Sequence, residues 1–421
     1  MEKSSLLYIA YHYPPVLGSS GVHRTLAFTR HLAEHGWQVR VLTVSLKAYD
    51  KWSPEQLSFI PKNIKVVRGF ARNVAKHFSL KGKYWGGMSL PDNWQSWIVG
   101  GVISGLISII KERPNVMVST YPIASAHFIA YLLHKITGVP WVADLRDPMA
   151  QSNYPANQTK KKWFQWIERK MVKHCDKVMI TCPGAQILYQ ERFPETSKDF
   201  WQIVPNGYDK VIFDGLDASE QQISAVDKPL TVLHSGLIYP YERDPSHFFA
   251  ALSELKKEGV LSARDIIFKL RATGHDGIHR SKLIHYGVED LVSLEPTVPY
   301  KDALKEMMAV DGLLLLQAAN CNYQIPAKAY EYIRAQKPVL ALTPIEGDTG
   351  QLLDKAGNSY IAALDDQQAI KTAIINFYQT LQSGEVQLLN SDELDSYSRQ
   401  SQAYKLEETL NTVVSSQKTR N

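Results

Sequence analysis

Short β-rich runs alternate along this chain with helical stretches of about 10–15 residues, and that alternation limits what it can fold into more than any single residue does. Strands are predicted over residues 6–10, 37–44, 64–67, 116–120, 141–144, 177–181 and 202–204. Helices predicted over 23–34, 98–111, 123–137 and 160–174, and from Gly184 onward, separate them. Crossovers of this kind join parallel strands, so the pattern predicts βαβ units in a doubly wound α/β sheet. After a polar stretch at 214–228 the series restarts, with strands at 231–235, 266–272, 291–294, 312–317, 338–342 and 360–363. Two Rossmann-like domains are therefore expected, 1–205 and 206–390, with 391–421 forming a C-terminal helix that returns to the first.

Composition excludes several alternatives. The 421 residues are 44% hydrophobic and 21% charged, which rules out a disordered chain, a collagen-like fibre and a small disulfide scaffold. The net charge of +5 admits an anionic partner without choosing among nucleic acid, anionic lipid and a sugar nucleotide. Cys175, Cys182 and Cys321 show no metal-ligand spacing and read as reduced thiols of a cytoplasmic protein. The apolar run at 6–10 lacks a cleavage site and reads as a strand, not a signal peptide. The uncharged stretch 93–110 is too short and too polar to span a membrane, against the roughly 20 apolar residues a span needs. It is read as a buried helix, with Gly101 and Gly105 placed for close packing.

Ligands of open α/β sheets bind outside the carboxyl ends of the strands. Two such domains are expected to face one another across a ligand-binding cleft. The first loop carries Gly18-Ser19-Ser20-Gly21 just before a helix, where backbone N–H groups favour an anion; the alternative is an ordinary glycine turn. It is neither a G-x-G-x-x-G nor a P-loop. In the second half, His234-Ser235-Gly236 ends a strand and Arg243 precedes the next helix. A glycine N–H and a guanidinium fork suit a diphosphate, although Arg243 could instead pair with Glu242 or Asp244. Further on, Pro326-Ala327-Lys328 opens a helix that bears Glu331 one turn later. A carboxylate there suits the vicinal diol of a ribose, and an ion pair with Lys328 is the alternative.

Pro326-x-Lys328-x-x-Glu331-Tyr332 followed by Lys337-Pro338-Val339-Leu340 resembles the donor-site signature of GT-B glycosyltransferases, most closely the retaining family 4. Tyr11-x-Tyr13-Pro14-Pro15, Asp144-Leu145-Arg146-Asp147-Pro148, Val204-Pro205-Asn206-Gly207 and Ser235-Gly236 resemble that family in the same order. The resemblance implies two Rossmann-like domains and transfer of a sugar from a nucleotide-diphosphate donor. Glu331 would hold the ribose, Arg243 and Lys328 would neutralise the diphosphate, and Gly236 would present backbone to it. The loop 294–300, with Val298, resembles the segment that cradles the base, and Ser20 and Gly21 would approach the donor from the first domain.

The chain departs from the pattern where Tyr323 stands eight residues before Glu331, in place of the family's first glutamate, which contacts the donor sugar. The family's histidine is also not at its usual place; His127 lies well into a helix and reads as a packed or surface side chain.

Charge developing on a departing diphosphate can be met by Arg, Lys and a helix N-terminus, so neither cofactor nor metal is expected, and no DxD stands at a plausible metal site. Asp144 and Asp147 are the carboxylates best placed to orient an acceptor hydroxyl, with an Arg146–Asp147 ion pair as the alternative. Residues 160–170 mix lysines with Trp163, Phe164 and Trp166, which reads either as an interfacial helix on anionic lipid or as a solvated face over an aromatic stripe. The expected partners are a nucleotide sugar and a glycan or lipid-linked acceptor. Peripheral contact with the inner face of an anionic membrane fits this set, and nucleic acid does not. A sugar-nucleotide epimerase or hydrolase, or a non-catalytic scaffold on the same fold, are the competing functions.

Overall fold

The computed structural model describes residues 3–17, 20–77, 89–151, 154–216, 228–240 and 243–419. The chain divides into two compact units, Met1–Asn206 with Arg399–Asn421, and Gly207–Ser398.

Among the described residues the first unit holds a seven-stranded parallel sheet. Its strands are β1 (Ser5–Ile9), β2 (Gln38–Val44), β3 (Lys65–Gly69), β4 (Val116–Thr120), β5 (Trp141–Leu145), β6 (Lys177–Ile180) and β7 (Trp201–Ile203). The order is β3-β2-β1-β4-β5-β6-β7, so the winding direction reverses between β1 and β4. Every residue of β1, β4 and β5 is buried, which explains why these strands read as continuous rather than alternating apolar runs. Right-handed crossovers place helices on both faces of such a sheet. The helices Ser96–Lys111, Ala124–Thr137 and Gln158–His174 pack in succession, and Ser20–Glu34 packs against the C-terminal helix Arg399–Lys418. Ala403, Leu406, Leu410 and Val413 of that helix join the core around Tyr8, Phe28 and Trp37. Each fully buried leucine contributes roughly 1.5–3 kcal/mol.

The second unit is a six-stranded parallel sheet among the described residues. Its strands are β8 (Leu230–Ser235), β9 (Ile266–Arg271), β10 (Val292–Glu295), β11 (Gly312–Leu316), β12 (Val339–Leu342) and β13 (Ser359–Ala362). In the order β10-β9-β8-β11-β12-β13 the reversal falls between β8 and β11. Phe248, Phe249, Phe268, Leu340 and Phe377 form its core.

Two expectations change. The helix Ser96–Lys111 is not wholly buried: Gly101 and Gly105 face Ile129 and Leu133 at distances that leave no room for a Cβ, but Val99, Ile103, Ile107 and Ile110 on the opposite side are exposed. The single C-terminal helix expected within 391–421 is two, Ser391–Ser396 with a capping box from Asn390 and Glu393, and Arg399–Lys418. Most of the linker stretch 214–228 lies outside the described residues.

Candidate functional site

The reversal between β8 and β11 brings two loops together in the second unit, the one after β8 and the one leading to the helix Ala327–Ala335. Lys328, in the first turn of that helix, turns its ammonium back onto the end of β8, with Nζ 3.3 Å from His234 Nε2. The other ring nitrogen of His234 lies 2.9 Å from the Leu314 carbonyl, which assigns the proton to Nδ1 and leaves Nε2 to accept from Lys328. Burial, followed by the positive charge of Lys328, holds the His234 imidazole well below its usual pKa. Lys328 is itself pushed down to about 7, by burial first and then by Arg243, against a smaller upward pull from Glu331. Lys328 and Arg243 thus act on one another as neighbouring cations, an arrangement suited to an anionic ligand.

Gly236 makes this crowding sterically feasible. Its φ is +123°, and a Cβ added there would lie 3.0 Å from Lys328 Nζ. Its role differs from the expected one, however. The Gly236 N–H donates to the Arg271 carbonyl at 2.9 Å as part of the β8–β9 pairing, so it is not presented to a phosphate. The glycine serves through its missing side chain.

Arg243 is held by a bond from its guanidinium to the Leu237 carbonyl at 2.8 Å and stacks over Tyr239. Asp244, one of its anticipated partners, instead accepts from Lys282 and from Ser246; Glu242, the other, lies outside the described residues. Glu331 is buried and accepts a 2.6 Å bond from the Tyr300 hydroxyl. Val298 is half-buried on the loop before the helix Tyr300–Ala309. Tyr323 is exposed on the neighbouring loop, which Gln317 braces by donating to the carbonyls of Cys321 and Gln324. Lys328, Gly236, Arg243 and Glu331 thus share one region, which sequence reading located. It gave no role to His234 or Tyr300, because nothing local marks a histidine or tyrosine for a partner 94 or 31 residues away.

In the first unit the two aspartates separate. Asp144 is fully buried, and its carboxylate accepts from Arg24 Nη2 at 3.0 Å, Arg24 Nε at 3.3 Å and Thr120 Oγ1 at 2.9 Å. Arg24 also donates to the carbonyls of Val204 and Pro205. Asp144 is therefore an internal anchor, tying the helix Ser20–Glu34 to β5 and the 204–206 segment, and is not available to an acceptor hydroxyl. Asp147 is only half-buried; burial raises its pKa against the opposing pull of Arg146. His12, at the end of β1, is held down to about 3 by burial and then by Arg146, and so stays neutral at physiological pH. His12, Arg146 and Asp147 make a titratable group at the carboxyl ends of β1 and β5; the histidine was not singled out from sequence.

Gly21 lies buried in the first turn of the helix Ser20–Glu34, and its carbonyl accepts from Thr25. Ser20 starts that helix, while Gly18 and Ser19 lie outside the described residues. His127 is packed, with Nδ1 2.7 Å from Ser119 Oγ and its pKa lowered by burial to about 4. Cys175, Cys182 and Cys321 form no disulfide. On the helix Gln158–His174, Trp163 and Trp166 are partly buried and pack on Phe128, while Lys162, Arg169 and Lys173 are exposed. Among the described residues no helix is long and apolar enough to cross a membrane.

Two doubly wound parallel sheets, of seven and six strands among the described residues, are the arrangement of the GT-B fold. Residues 20–207 match the family described as Glycosyl transferase 4-like domain. Sucrose-phosphate synthase of Thermosynechococcus elongatus shares the fold over 98% of this chain and 100% of its own, at 12% identity and a TM-score of 0.67. HepE of Anabaena, solved with UDP-glucose, covers 99% and 100% at 13% identity and a TM-score of 0.60. The lipopolysaccharide outer core galactosyltransferase WaaB, in its apo form, covers 98% and 99% at 13% identity and a TM-score of 0.60. No curated protein matches by sequence.

Proposed function

We propose that this enzyme transfers a sugar from a nucleotide-diphosphate donor to a hydroxyl of a glycan or lipid-linked acceptor, with retention at the anomeric carbon. The convergence of Lys328 and Arg243 at the end of β8 carries the reading. Their charges, with the N-terminus of the helix Ala327–Ala335, meet the negative charge that grows on the diphosphate as its bond to the anomeric carbon breaks. The electron pair of that bond goes to the phosphate oxygen. The acceptor oxygen bonds to the same face of the sugar and its proton passes to the departing phosphate, so neither cofactor nor metal enters the step. Glu331, aligned by Tyr300, holds the ribose diol, and the loop bearing Val298 carries the base. Tyr323 borders the transferred sugar. Asp147 takes the acceptor-side role that Asp144 cannot. HepE, solved with UDP-glucose, supports a nucleotide sugar as donor.

The packed helices of the first unit support a lipid-linked acceptor: Val99, Ile103, Ile107 and Ile110 are exposed on one, and Lys162, Arg169 and Lys173 on another. Peripheral binding at an anionic inner membrane face, in synthesis of a cell-surface polysaccharide or glycoconjugate, fits these features.

A thermal-shift screen of UDP, GDP, ADP and their sugars tests the donor assignment, since a ligand that binds only the folded state raises Tm. Consumption of the matching donor only when an acceptor is present is the expected result. Consumption without acceptor points to an epimerase or hydrolase, and binding without any turnover to a scaffold.

A further inference from the structure

Away from this chemistry, three metal-ligating side chains converge where the C-terminal helix lies on the first unit. His31 and His35 stand one helical turn apart, so both rings leave the same face of their helix. Glu407 reaches them from the helix Arg399–Lys418, with Oε2 2.9 Å from His31 Nε2 and 2.7 Å from His35 Nδ1. All three ligand atoms lie within 4.8 Å of one another. The second carboxylate oxygen accepts from the Trp37 indole at 3.2 Å, the kind of outer bond that fixes a ligand's orientation. Tyr404 packs edge-on against His31, and a surface depression of about 600 Å³ lined by Tyr404, Glu407 and Asn411 leaves one side of the cluster open to water.

We propose that His31, His35 and Glu407 form a binding site for a divalent transition metal, of which zinc fits best, clamping the C-terminal helix onto the helix Ser20–Glu34. Two imidazole nitrogens and one carboxylate oxygen, with water completing a tetrahedron, are a donor set zinc favours, and hard magnesium or calcium would not select it. Ligation requires His31 Nε2 and His35 Nδ1 to give up the protons they donate to Glu407, each ring shifting to its other neutral tautomer. Burial pushes the Glu407 carboxyl up, but the bonds from His35, His31 and Trp37 outweigh it and hold the group ionised. Without metal, the same atoms close on one another as hydrogen bonds. The site does not depend on the proposed donor chemistry, and the ligands stand 376 residues apart in sequence, which is why no spacing rule reveals it.

The test is titration of the full chain with Zn2+ and with Co2+, followed by calorimetry, the visible absorption of tetrahedral cobalt, and Tm with and without chelator. The expected result is one ion per chain, a Zn2+ Kd of about 10 µM or tighter, and a Tm that rises with zinc and returns with chelator. His35→Gln and Glu407→Gln should each weaken binding at least about tenfold. His35 is exposed, so its variant keeps the test sound even if changes at Glu407 disturb packing. Absence of stoichiometric binding to the wild type, or equal binding by His35→Gln, would overturn the proposal and leave a hydrogen-bonded clasp.

Discussion

The ammonium of Lys328 and the imidazole of His234 lie 3.3 Å apart, beneath a glycine that leaves just enough room for both. With the lysine held down to about 7, it is mostly neutral at pH 8, and a bound diphosphate raises it again. Nucleotide binding at pH 8 should therefore take up nearly one proton, falling toward zero at pH 6. Calorimetry in buffers of differing ionisation enthalpy measures this, and Lys328→Met should abolish it. The stability sign follows from the same depression: between about 7 and the unfolded value of 10.5 the unfolded chain binds more protons, so stability rises with pH across that window. Lys328→Met should flatten this slope.

Gly236→Ala places a Cβ against Lys328 at a φ of +123°. Strain of about 1–3 kcal/mol is expected from the backbone alone. Donor affinity should fall about tenfold or more while the variant remains folded, as calorimetry and circular dichroism can show together.

Glu331→Ala removes the carboxylate that Tyr300 aligns. Hydrogen bonds to a charged group are worth about 1.5–3 kcal/mol, so the donor KM should rise roughly 10- to 100-fold. The wild type should discriminate strongly against a 2′,3′-dideoxy donor and the variant should not. Equal discrimination by both would remove Glu331 from the ribose.

The two aspartates should respond differently. Asp144→Ala leaves Arg24 buried without its counter-ion and should cost about 3–5 kcal/mol in urea unfolding. Asp147→Asn should unfold near the wild-type midpoint yet lower kcat about tenfold or more, with donor KM unchanged.

Burial holds His12 to about 3, His127 to about 4 and His234 well below its usual value, so these histidines stay neutral in the fold. Below about 6.5 the unfolded chain protonates them and the folded chain does not, so stability is lost as pH falls from 6.5 toward 4. Near pH 5 His12 and His127 should add nearly two protons to the uptake on unfolding, or ~2.7 kcal/mol per pH unit together, and His234 contributes with the same sign. Denaturation midpoints from pH 7 to 5 give the slope. His127→Gln should reduce it by nearly one proton, about 1.4 kcal/mol per pH unit.

Local periodicity determined the alternation of strands and helices, since burial on both faces makes a strand such as β11 uniformly apolar and one-sided burial gives a helix its stripe. It also placed Lys328 and Glu331 one turn apart on the same helix, because that spacing is set by 3.6 residues per turn. Tertiary structure alone decided the rest. Asp144 reads like its neighbour Asp147 until Arg24, 120 residues away, claims its carboxylate. Gly236 reads as a phosphate-facing amide until β9 takes its N–H. The helix Ser96–Lys111 is apolar on nearly every side, so only its packing against Ala124–Thr137 shows which face is covered. Sequence states which groups are present on each loop; which polar atom is already satisfied depends on strands and helices brought together from far along the chain, and no local pattern carries that information.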